Sequence, residues 1–303
     1  MCTGTVECAP TSDRSFGAEP NEAYPRPEEK NAMTTLALPT NAPAGPVIVH
    51  TDAAKTRSLT PGQRYRWGFL AAHLAVIDGI VDGRAAWFPT FNYDFLGSGI
   101  YSIDNDHCQV GSINEFERVT RATWRSRTPV FNFAGAASEP EGTGESELIF
   151  PFDPLSPFGQ CAAGDGTVLW YGAPFSSATI LHHSESIAGG PPYRFDKDFR
   201  GVVRSGAVER AVTLRYHVRP RGRHLDYDWE RIIPDAMAAG IIRRLGDTPV
   251  YWASAGDLVQ HWANLQLRDP LALLDVESRD WVEPLVDALG RRFVRSDFEE
   301  VQE

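Results

Sequence analysis

The residues with the clearest chemical potential are Thr179, His182 and Glu185, which stand three apart near the middle of the chain. An α-helix has 3.6 residues per turn, so this spacing places all three on one helical face, whereas His183 points about 100° away. A neutral imidazole held by a carboxylate one turn further on can serve as a general base. The pattern therefore predicts a proton-accepting His182 oriented by Glu185. A polar stripe on a surface helix is the alternative interpretation.

The preceding residues indicate how such a helix would be positioned. Residues 168–171 form an apolar run between two glycines, which predicts a short buried strand. Residues 172–174 end that strand, because glycine permits a turn and proline cannot donate to a ladder. Ser176 or Ser177 would then cap the helix. His182 would lie near the positive end of the helix dipole, which favours the neutral imidazole.

Cysteine and metal chemistry are alternatives for the same region. Cys108 follows His107 directly and could carry an acyl-enzyme intermediate, or could simply pack. A metal-dependent hydrolase could draw its ligands from a wider set, but no H-E-x-x-H pattern is present and no metal is expected. That set comprises His107, Cys108, His182, His183 and Glu185.

A basic cluster in the second half of the chain has two interpretations. Arg219, Arg221, Arg223 and His224 follow a predicted strand over residues 211–218. They fit either a solvated hairpin tip or a site for a phosphate-bearing ligand. In the strand, the alternating pattern places Leu214 and its apolar neighbours on the core face and His217 on the other.

Composition limits the class of protein. With 303 residues, 42% of them hydrophobic, the chain can bury one large core or two modest ones. A net charge of −11 argues against nucleic acid or an anionic membrane as the main partner. The four cysteines show no C-x-x-C pairing, which is typical of a reducing cytoplasm. No signal peptide is apparent, and the most apolar window, residues 67–81, contains His73 and Asp78 and predicts a core helix.

The order of the segments predicts the architecture. Residues 1–44 are rich in Pro, Glu, Ser, Asn and Ala and predict a disordered leader, with Met33 as an alternative start. From residue 45 onward, strands alternate with helices of ten or more residues, which indicates one α/β domain around a largely continuous sheet. A strand over residues 46–50 ends in His50, Thr51 and Asp52, at an edge where α/β proteins gather ligands. Ser112 and Glu115 match a capping box.

Several sequence blocks resemble the aminoglycoside 3-N-acetyltransferase family, in the family's order and over roughly residues 46–275. Residues 47–52 are similar to its V-H-S-S turn, and residues 88–91 to its P-T-F block. Residues 110–116 resemble V-G-x-L-x-E-x-F, and residues 125–134 resemble R-S-x-H-P-x-H/F-S-x-A. Residues 156–158 match S-P-F, residues 166–169 match the start of G-x-V-L-x-L-G, and residues 179–185 match T-x-x-H-x-x-E.

This resemblance implies an αβα-layered domain that transfers an acyl group from acetyl-CoA, or another acyl-CoA, to an amine of a sugar or natural-product intermediate. It implies His182 as the base and Glu185 as its partner. Acyl transfer also needs a hydrogen-bond donor for the oxyanion, for which Thr179, Ser177 and the backbone N–H groups near Gly172 are the candidates. Coenzyme A would contact His50, Thr51, Asp52, Ser126 and Ser156. The acceptor would contact Tyr93, Asp94 and Phe131, and a hydrogen-bonding role within the loop is the alternative interpretation of Asp94.

One departure separates this chain from the drug-acetylating members of the family. They carry a histidine where this chain has Phe131, and Thr128 replaces a second histidine. Phenylalanine cannot move a proton, which leaves modification of aminoglycosides open. A carrier-protein thioester as donor, a metal-dependent hydrolase and a non-catalytic binding protein are the alternatives. The oligomeric state is also open, with a dimer among the possibilities.

Overall fold

The fold alternates short strands with helices around two sheets. The structure is a computed structural model, which describes residues 36–63, 65–142 and 146–299. The strands are β1 (Val47–Thr51), β2 (Ala86–Pro89), β3 (Ile100–Ser102), β4 (Trp124–Arg125), β5 (Phe133–Gly135), β6 (Leu148–Ile149), β7 (Thr167–Tyr171), β8 (Phe195–Ser205), β9 (Val208–Val218), β10 (Arg243–Arg244) and β11 (Val250–Ser254). The helices are α1 (Arg66–Val81), α2 (Phe95–Ser98), α3 (Ser112–Thr120), α4 (Pro157–Ala163), α5 (Leu181–Ile187), α6 (Trp229–Ala238), α7 (Ala255–Arg268) and α8 (Val276–Leu289).

The strands form two sheets instead of the largely continuous sheet that the sequence predicts. The larger sheet has the order β10-β11-β7-β1-β2-β5-β4, in which β1 runs parallel to both β7 and β2. The smaller has the order β3-β8-β9-β6 and is built on a long antiparallel hairpin of β8 and β9. The single-sheet prediction is wrong because β8 mixes charged and apolar residues, and the sequence pattern does not reveal it as a strand.

Period-two alternation in the central strands divides the core between the two faces of the larger sheet. Val47 and Val49 pack into a cluster with α1 and α3, whereas Ile48 between them packs into the cluster on the opposite face. β7 alternates in the same way, with Leu169 facing α1 and Trp170 facing the other side. Both faces of these strands are therefore covered, as in the layered α/β architecture that the sequence predicts.

Helices α1 and α3 confirm two predicted helices but correct their details. Trp67, the first residue of the window predicted as a core helix, is 56% exposed. Gly111 occupies the N-cap position of α3, with no side-chain cap. The predicted capping box of Ser112 and Glu115 is wrong, because the Glu115 carboxylate accepts from the backbone N–H of Cys108 and from Arg118 instead.

The ordered fold includes residues that the sequence assigns to the leader. The Leu38 backbone N–H donates to the Ile80 carbonyl at 3.0 Å, and the side chains of Leu38 and Ala42 are buried. Residues 36–44 therefore belong to the packed domain. The remaining leader prediction, including Met33, falls on residues outside those described. None of the helices in the described ranges is long and apolar enough to cross a membrane.

Candidate active site

The turn after β7 sets the position of the predicted base. Gly172 adopts a φ of 72°, and a Cβ there would lie 2.7 Å from Thr56 Cγ2 and 2.8 Å from the Asp52 carbonyl oxygen. Only glycine fits this close approach without strain. A 3₁₀ helix, Phe175–Ser177, follows, and α5 begins only at Leu181. The predicted serine cap is therefore wrong: the Ser177 hydroxyl donates to the Pro174 carbonyl at 2.7 Å instead.

His182 and Glu185 form the predicted pair. The Nδ1 of His182 lies 2.7 Å from Oε2 of Glu185, one turn along α5. Glu185 is fully buried, whereas the His182 side chain is 22% exposed and lines a cavity. His183 points elsewhere, with Nδ1 2.8 Å from the Phe152 carbonyl oxygen. Because Glu185 occupies the Nδ1 side of the ring, the other nitrogen of His182, Nε2, is the one that can accept a proton.

The carboxylate of Glu185 collects more partners than the sequence predicts. Its Oε2 lies 3.0 Å from Nε2 of His217, and its Oε1 accepts hydrogen bonds from the hydroxyls of Tyr193 and Tyr227, each at 2.7 Å. The guanidinium of Arg194 lies 3.9 Å from the same oxygen. A buried carboxylate needs such partners, since an unpaired charge in the core is costly.

These contacts fix the charge states of the pair. Burial alone would raise the pKa of Glu185, but the hydrogen bonds from His182 and His217 and the charge of Arg194 hold that pKa well below its ordinary value. Burial lowers the pKa of His182 to about 4, against the opposing effect of Glu185. The site therefore combines an anionic Glu185 with a neutral imidazole at pH 7, which is the state required of a general base.

The partners of Glu185 come from segments that the sequence did not mark as functional. His217 is expected on the solvent face of β9, yet it is only 7% exposed, and that prediction is wrong. Tyr193 lies between α5 and β8, and Tyr227 precedes α6. The sequence offers one signal for these partners, which is a histidine within a predicted half-buried strand. Nothing in the local pattern of the two tyrosines distinguishes them from core residues.

Two cavities meet beside this pair. The first, of about 590 Å³, is lined by His182 and Tyr227 and by a set of charged residues. The second, of about 480 Å³, is lined by His50, Thr51 and Asp52 at the carboxyl end of β1. Thr179 and Ser176 line both cavities. A donor in one cavity and an acceptor in the other could thus meet near Thr179, one turn before His182.

The second cavity has features that suit coenzyme A. Nε2 of His50 is buried with no hydrogen-bond partner among the described residues, and so remains available to a ligand. The Thr51 hydroxyl donates to Oδ1 of Asn114 at 2.7 Å, which joins β1 to α3. The N-terminus of the nine-residue α3 opens at Gly111 and Ser112, which line the cavity, and its first backbone N–H groups lack a side-chain cap. Uncapped N–H groups at a helix start are suited to phosphate oxygens.

Two of the predicted coenzyme contacts have structural roles elsewhere. The Ser126 hydroxyl accepts from the Phe133 backbone N–H at 2.9 Å. Ser156 is the N-cap of α4, where its hydroxyl accepts from the Gly159 N–H at 3.2 Å. Among the described residues, neither serine lines the cavity of His50. Their side chains stabilise the backbone at these positions, which explains the serines without a ligand.

The three predicted acceptor contacts lie in different surroundings. Tyr93 is 43% exposed and lines the cavity of His50. Asp94 is exposed at the start of α2 and accepts from Gln109 at 3.0 Å, outside the lining of either cavity. Phe131 is buried with its ring 4.7 Å from that of Phe152.

Phe131 reaches the base only indirectly. The Phe152 ring lies between Phe131 and His182, with its centroid 5.0 Å from the imidazole. Phe131 also packs edge-on against Tyr216 at 5.2 Å. The phenylalanine at this position therefore forms part of the apolar wall behind His182.

Cys108 is not set up as a nucleophile. Burial raises the pKa of its thiol to about 11, so the reactive thiolate is scarce at neutral pH. His107 next to it pairs with Glu115 at 3.2 Å. Of the described residues, Cys108 is not among those that line the two cavities. The contacts of its sulfur are with backbone groups, such as Sγ to the Pro89 carbonyl at 3.7 Å.

The structure also changes the candidate metal ligands. His107, Cys108 and His183 each have separate partners and do not join His182. In the described ranges, the one group with metal-ligand spacing is His182, Glu185 and His217, whose ligand atoms lie within 4.8 Å of one another. The hydrogen bonds from both imidazoles to Glu185 already account for this spacing.

Sequence comparison finds similarity over the region that contains this site. Residues 83–266 match the family described as aminoglycoside 3-N-acetyltransferase. The chain is 32% identical over 165 residues to aminoglycoside N(3)-acetyltransferase VIII of Streptomyces fradiae. This alignment covers 50% of the chain and 56% of the relative, so the match spans about half the length of that protein.

Structural comparison finds the same fold. A structure described as AAC-IIIb binary with CoASH superimposes with a TM-score of 0.60 at 18% identity, covering 76% of this chain and 92% of the other. A room-temperature structure of sisomicin-bound AAC-VIa gives 0.54 at 16% identity, covering 76% and 93%. At this level of identity the likeness concerns the mixed α/β architecture with its two sheets.

Proposed function

Because this chain belongs to the aminoglycoside 3-N-acetyltransferase family, we propose that it is an N-acyltransferase that moves an acetyl group from acetyl-CoA to an amine. The observation that carries this proposal is the neutral His182, held by an anionic Glu185 at the edge of a cavity that adjoins a second one through Thr179. The acceptor is an amine of a sugar or natural-product intermediate.

His182 supplies the proton handling in this mechanism. An amine is protonated at pH 7 and must lose a proton to attack a carbonyl. An ammonium first releases one proton to solvent, and the free amine then attacks. As its nitrogen forms the bond to the acyl carbon, Nε2 of His182 takes a second proton from that nitrogen, and Glu185 stabilises the resulting imidazolium. The carbon–sulfur bond then breaks, and the proton passes to the departing thiolate. A base of this kind accelerates such a step by about 10²–10⁴-fold.

Thr179 is the residue that we expect to donate a hydrogen bond to the oxyanion that develops on the carbonyl. It lines both cavities, and among the described residues its hydroxyl makes only a long hydrogen bond of 3.3 Å to the Ser177 carbonyl. A weakly engaged hydroxyl can turn toward an oxyanion. Donors that face the developing charge are among the largest contributions to acyl transfer.

The donor side is assigned to the cavity of His50, Thr51 and Asp52. Support comes from the unpartnered Nε2 of His50 and from the uncapped N-terminus of α3, which suit the amide and phosphate groups of coenzyme A. A carrier-protein thioester is the alternative donor, because it presents the same pantetheine arm without the nucleotide.

Calorimetric titration with coenzyme A, followed by thiol release from acetyl-CoA in the presence of a panel of amines, tests the proposal. Binding of coenzyme A together with amine-dependent thiol release would support it. Turnover only with an acyl carrier protein would change the donor. A stoichiometric zinc ion in the purified protein, with activity lost on chelation, would replace acyl transfer by a metal-dependent reaction at His182, Glu185 and His217.

A further inference from the structure

The cavity next to His182 is lined by more basic than acidic side chains, whereas a site that binds a polycation is expected to be mainly acidic. Four basic side chains line it, against two acidic ones. This contrasts with a net charge of −11 for the whole chain. The basic residues are Arg194, Lys197, Arg219 and Arg221, and the acidic residues are Asp226 and Glu299.

Two of these cations are already neutralised. The Lys197 ammonium contacts both carboxylate oxygens of Glu299, at 2.6 and 2.7 Å. Arg194 faces the buried Glu185 and donates to the Tyr227 hydroxyl at 2.9 Å. Both pairs belong to the walls of the cavity, so neither cation is free to select a ligand.

Arg219 and Arg221 are different. Both are exposed, and neither makes a hydrogen bond or ion pair with any residue in the described ranges. The other members of the same basic cluster are engaged away from the cavity. Arg223 stacks over the Trp281 ring at 5.1 Å, and His224 lies 2.7 Å from the Asp275 carboxylate. The structure therefore divides the cluster into two residues that hold the loop and two that face the cavity.

Asp226 provides the opposite charge in the same cavity. Its Oδ1 accepts only the backbone N–H of Tyr227 at 2.8 Å, and no cationic side chain among the described residues pairs with it. The unneutralised groups of the cavity are thus one carboxylate and two guanidinium groups. A carboxylate suits an ammonium, and a pair of guanidinium groups suits a phosphate or another multivalent oxyanion.

From this arrangement we propose that the acceptor carries an anionic group of the phosphate class in addition to its amine. The inference rests on the proposed function, since it assigns this cavity to the acceptor. A polycationic aminoglycoside would place several positive charges near Arg219 and Arg221, which repel them. Among the described residues of this cavity, it could form a new ion pair only with Asp226. An anionic amine would pair with both arginines while its nitrogen lies toward His182.

The phosphates of coenzyme A are the other possible source of the same chemistry, so the experiment separates the two. The protein is first saturated with coenzyme A and then titrated calorimetrically with D-glucosamine 6-phosphate, with D-glucosamine and with inorganic phosphate. The two sugars differ only in the phosphate. We expect the phosphorylated sugar to bind at least ~10-fold more tightly, and inorganic phosphate to bind despite the bound coenzyme.

A matched set of variants completes the test. The double variant R219Q/R221Q should abolish the difference between the two sugars and leave the affinity for coenzyme A within about twofold. Arg223→Gln removes one charge from the same loop, outside the cavity, and should leave the difference intact. Melting temperatures of the variants check that each one folds.

Four results would overturn the inference: equal binding of both sugars, an unchanged difference in the double variant, loss of phosphate binding once coenzyme A is bound, or a weakened affinity of the double variant for coenzyme A. The last two would assign the arginines to the donor. Failure of coenzyme A itself to bind would refute the proposed function and not the anion site, so the two failures are distinguishable.

Discussion

At the scale of single residues, the carboxylate of Glu185 acts by holding its charge and not by accepting a proton. Four hydrogen bonds, two of them from tyrosine hydroxyls, spread its negative charge over His182, His217, Tyr193 and Tyr227. Because the pKa of Glu185 lies well below its ordinary value, it remains anionic when an imidazolium forms beside it. Its part in the proposed mechanism is therefore to orient and stabilise His182.

Replacing His182 and Cys108 separately distinguishes a base from a nucleophile. We expect His182→Ala to lower kcat by at least ~10²-fold, because no other group of the described cavity wall can accept the proton from the same position. Cys108→Ala should change kcat by less than about threefold, since burial keeps that thiol protonated. Thiol release from acetyl-CoA measures both variants. An inactive Cys108 variant beside an active His182 variant would reverse the assignment.

His217 is a positioning residue, and the pH profile reveals its role. Removing its bond to Glu185 concentrates the carboxylate charge on His182 and so raises the pKa of that imidazole from about 4 toward its ordinary value. The base works only when neutral, so activity falls as pH drops through this pKa. In His217→Leu we therefore expect the acid limb of the kcat profile to move to higher pH.

His217→Gln provides the conservative control for this shift, because the amide can still donate to Glu185. Its acid limb should stay near that of the wild type. A purely structural role would lower activity in the leucine variant without moving the limb. If both variants titrate at the wild-type position, His217 does not act through Glu185.

At the scale of elements, the sequence predicts those segments whose pattern is local. β1 and β7 are covered on both faces, so each contains a continuous apolar run, residues 47–49 and 168–171. β8 could not be predicted in this way, since only Phe195 and Val203 of its eleven residues are buried. Its pairing with β9 depends on tertiary context.

In the candidate active site, too, only the residues related by a local pattern can be predicted from the sequence. His182 and Glu185 are predictable because a helix fixes their spacing. Their partners Tyr193, His217 and Tyr227 come from three other segments, and only the fold brings them to one carboxylate. The helix start could not be predicted either, because the chain passes through a 3₁₀ turn before Leu181.

The junction of β1 with α3 is the element that we expect to bind the phosphates of the donor. Gly111 has a φ of 129°, and a Cβ there would lie 3.1 Å from Oγ1 of Thr51. Gly111→Ala should displace Thr51 and the start of α3 and raise the KM for acetyl-CoA by about 10-fold. The kcat at saturating donor should change less than threefold.

Gly83→Ala separates this effect from general backbone strain. Gly83 also has a positive φ, of 77°, but a Cβ there would meet nothing within 4 Å. Both variants should lose stability, Gly83→Ala by about 1 kcal/mol and Gly111→Ala by more because its Cβ also meets Thr51, while only Gly111→Ala raises the KM. Equal KM values in the two variants would argue against a donor site at this junction.

At the scale of the whole molecule, His50 and His73 in the core add to the coupling between folding and pH that the lowered pKa of His182 also creates. His73 in α1 bridges the Tyr171 hydroxyl at 2.6 Å and the Thr60 hydroxyl at 3.1 Å. His50 is 4% exposed in β1. Burial lowers the pKa of each to about 4, so both are neutral in the fold at pH 5. In the unfolded chain they titrate near the ordinary value of about 6.5.

Stability should therefore fall as the solution is acidified between pH 6.5 and pH 4. In this window the unfolded chain binds more protons than the folded one, so each histidine lowers the free energy of unfolding by about 1.4 kcal/mol per pH unit. Urea unfolding at constant ionic strength, at intervals of half a pH unit, measures the slope. His73→Gln can keep both hydrogen bonds and should remove about half of the slope due to this pair. An unfolding free energy that stays constant between pH 7 and pH 5 would contradict the neutral state of these histidines, because neither could then have a depressed pKa in the fold.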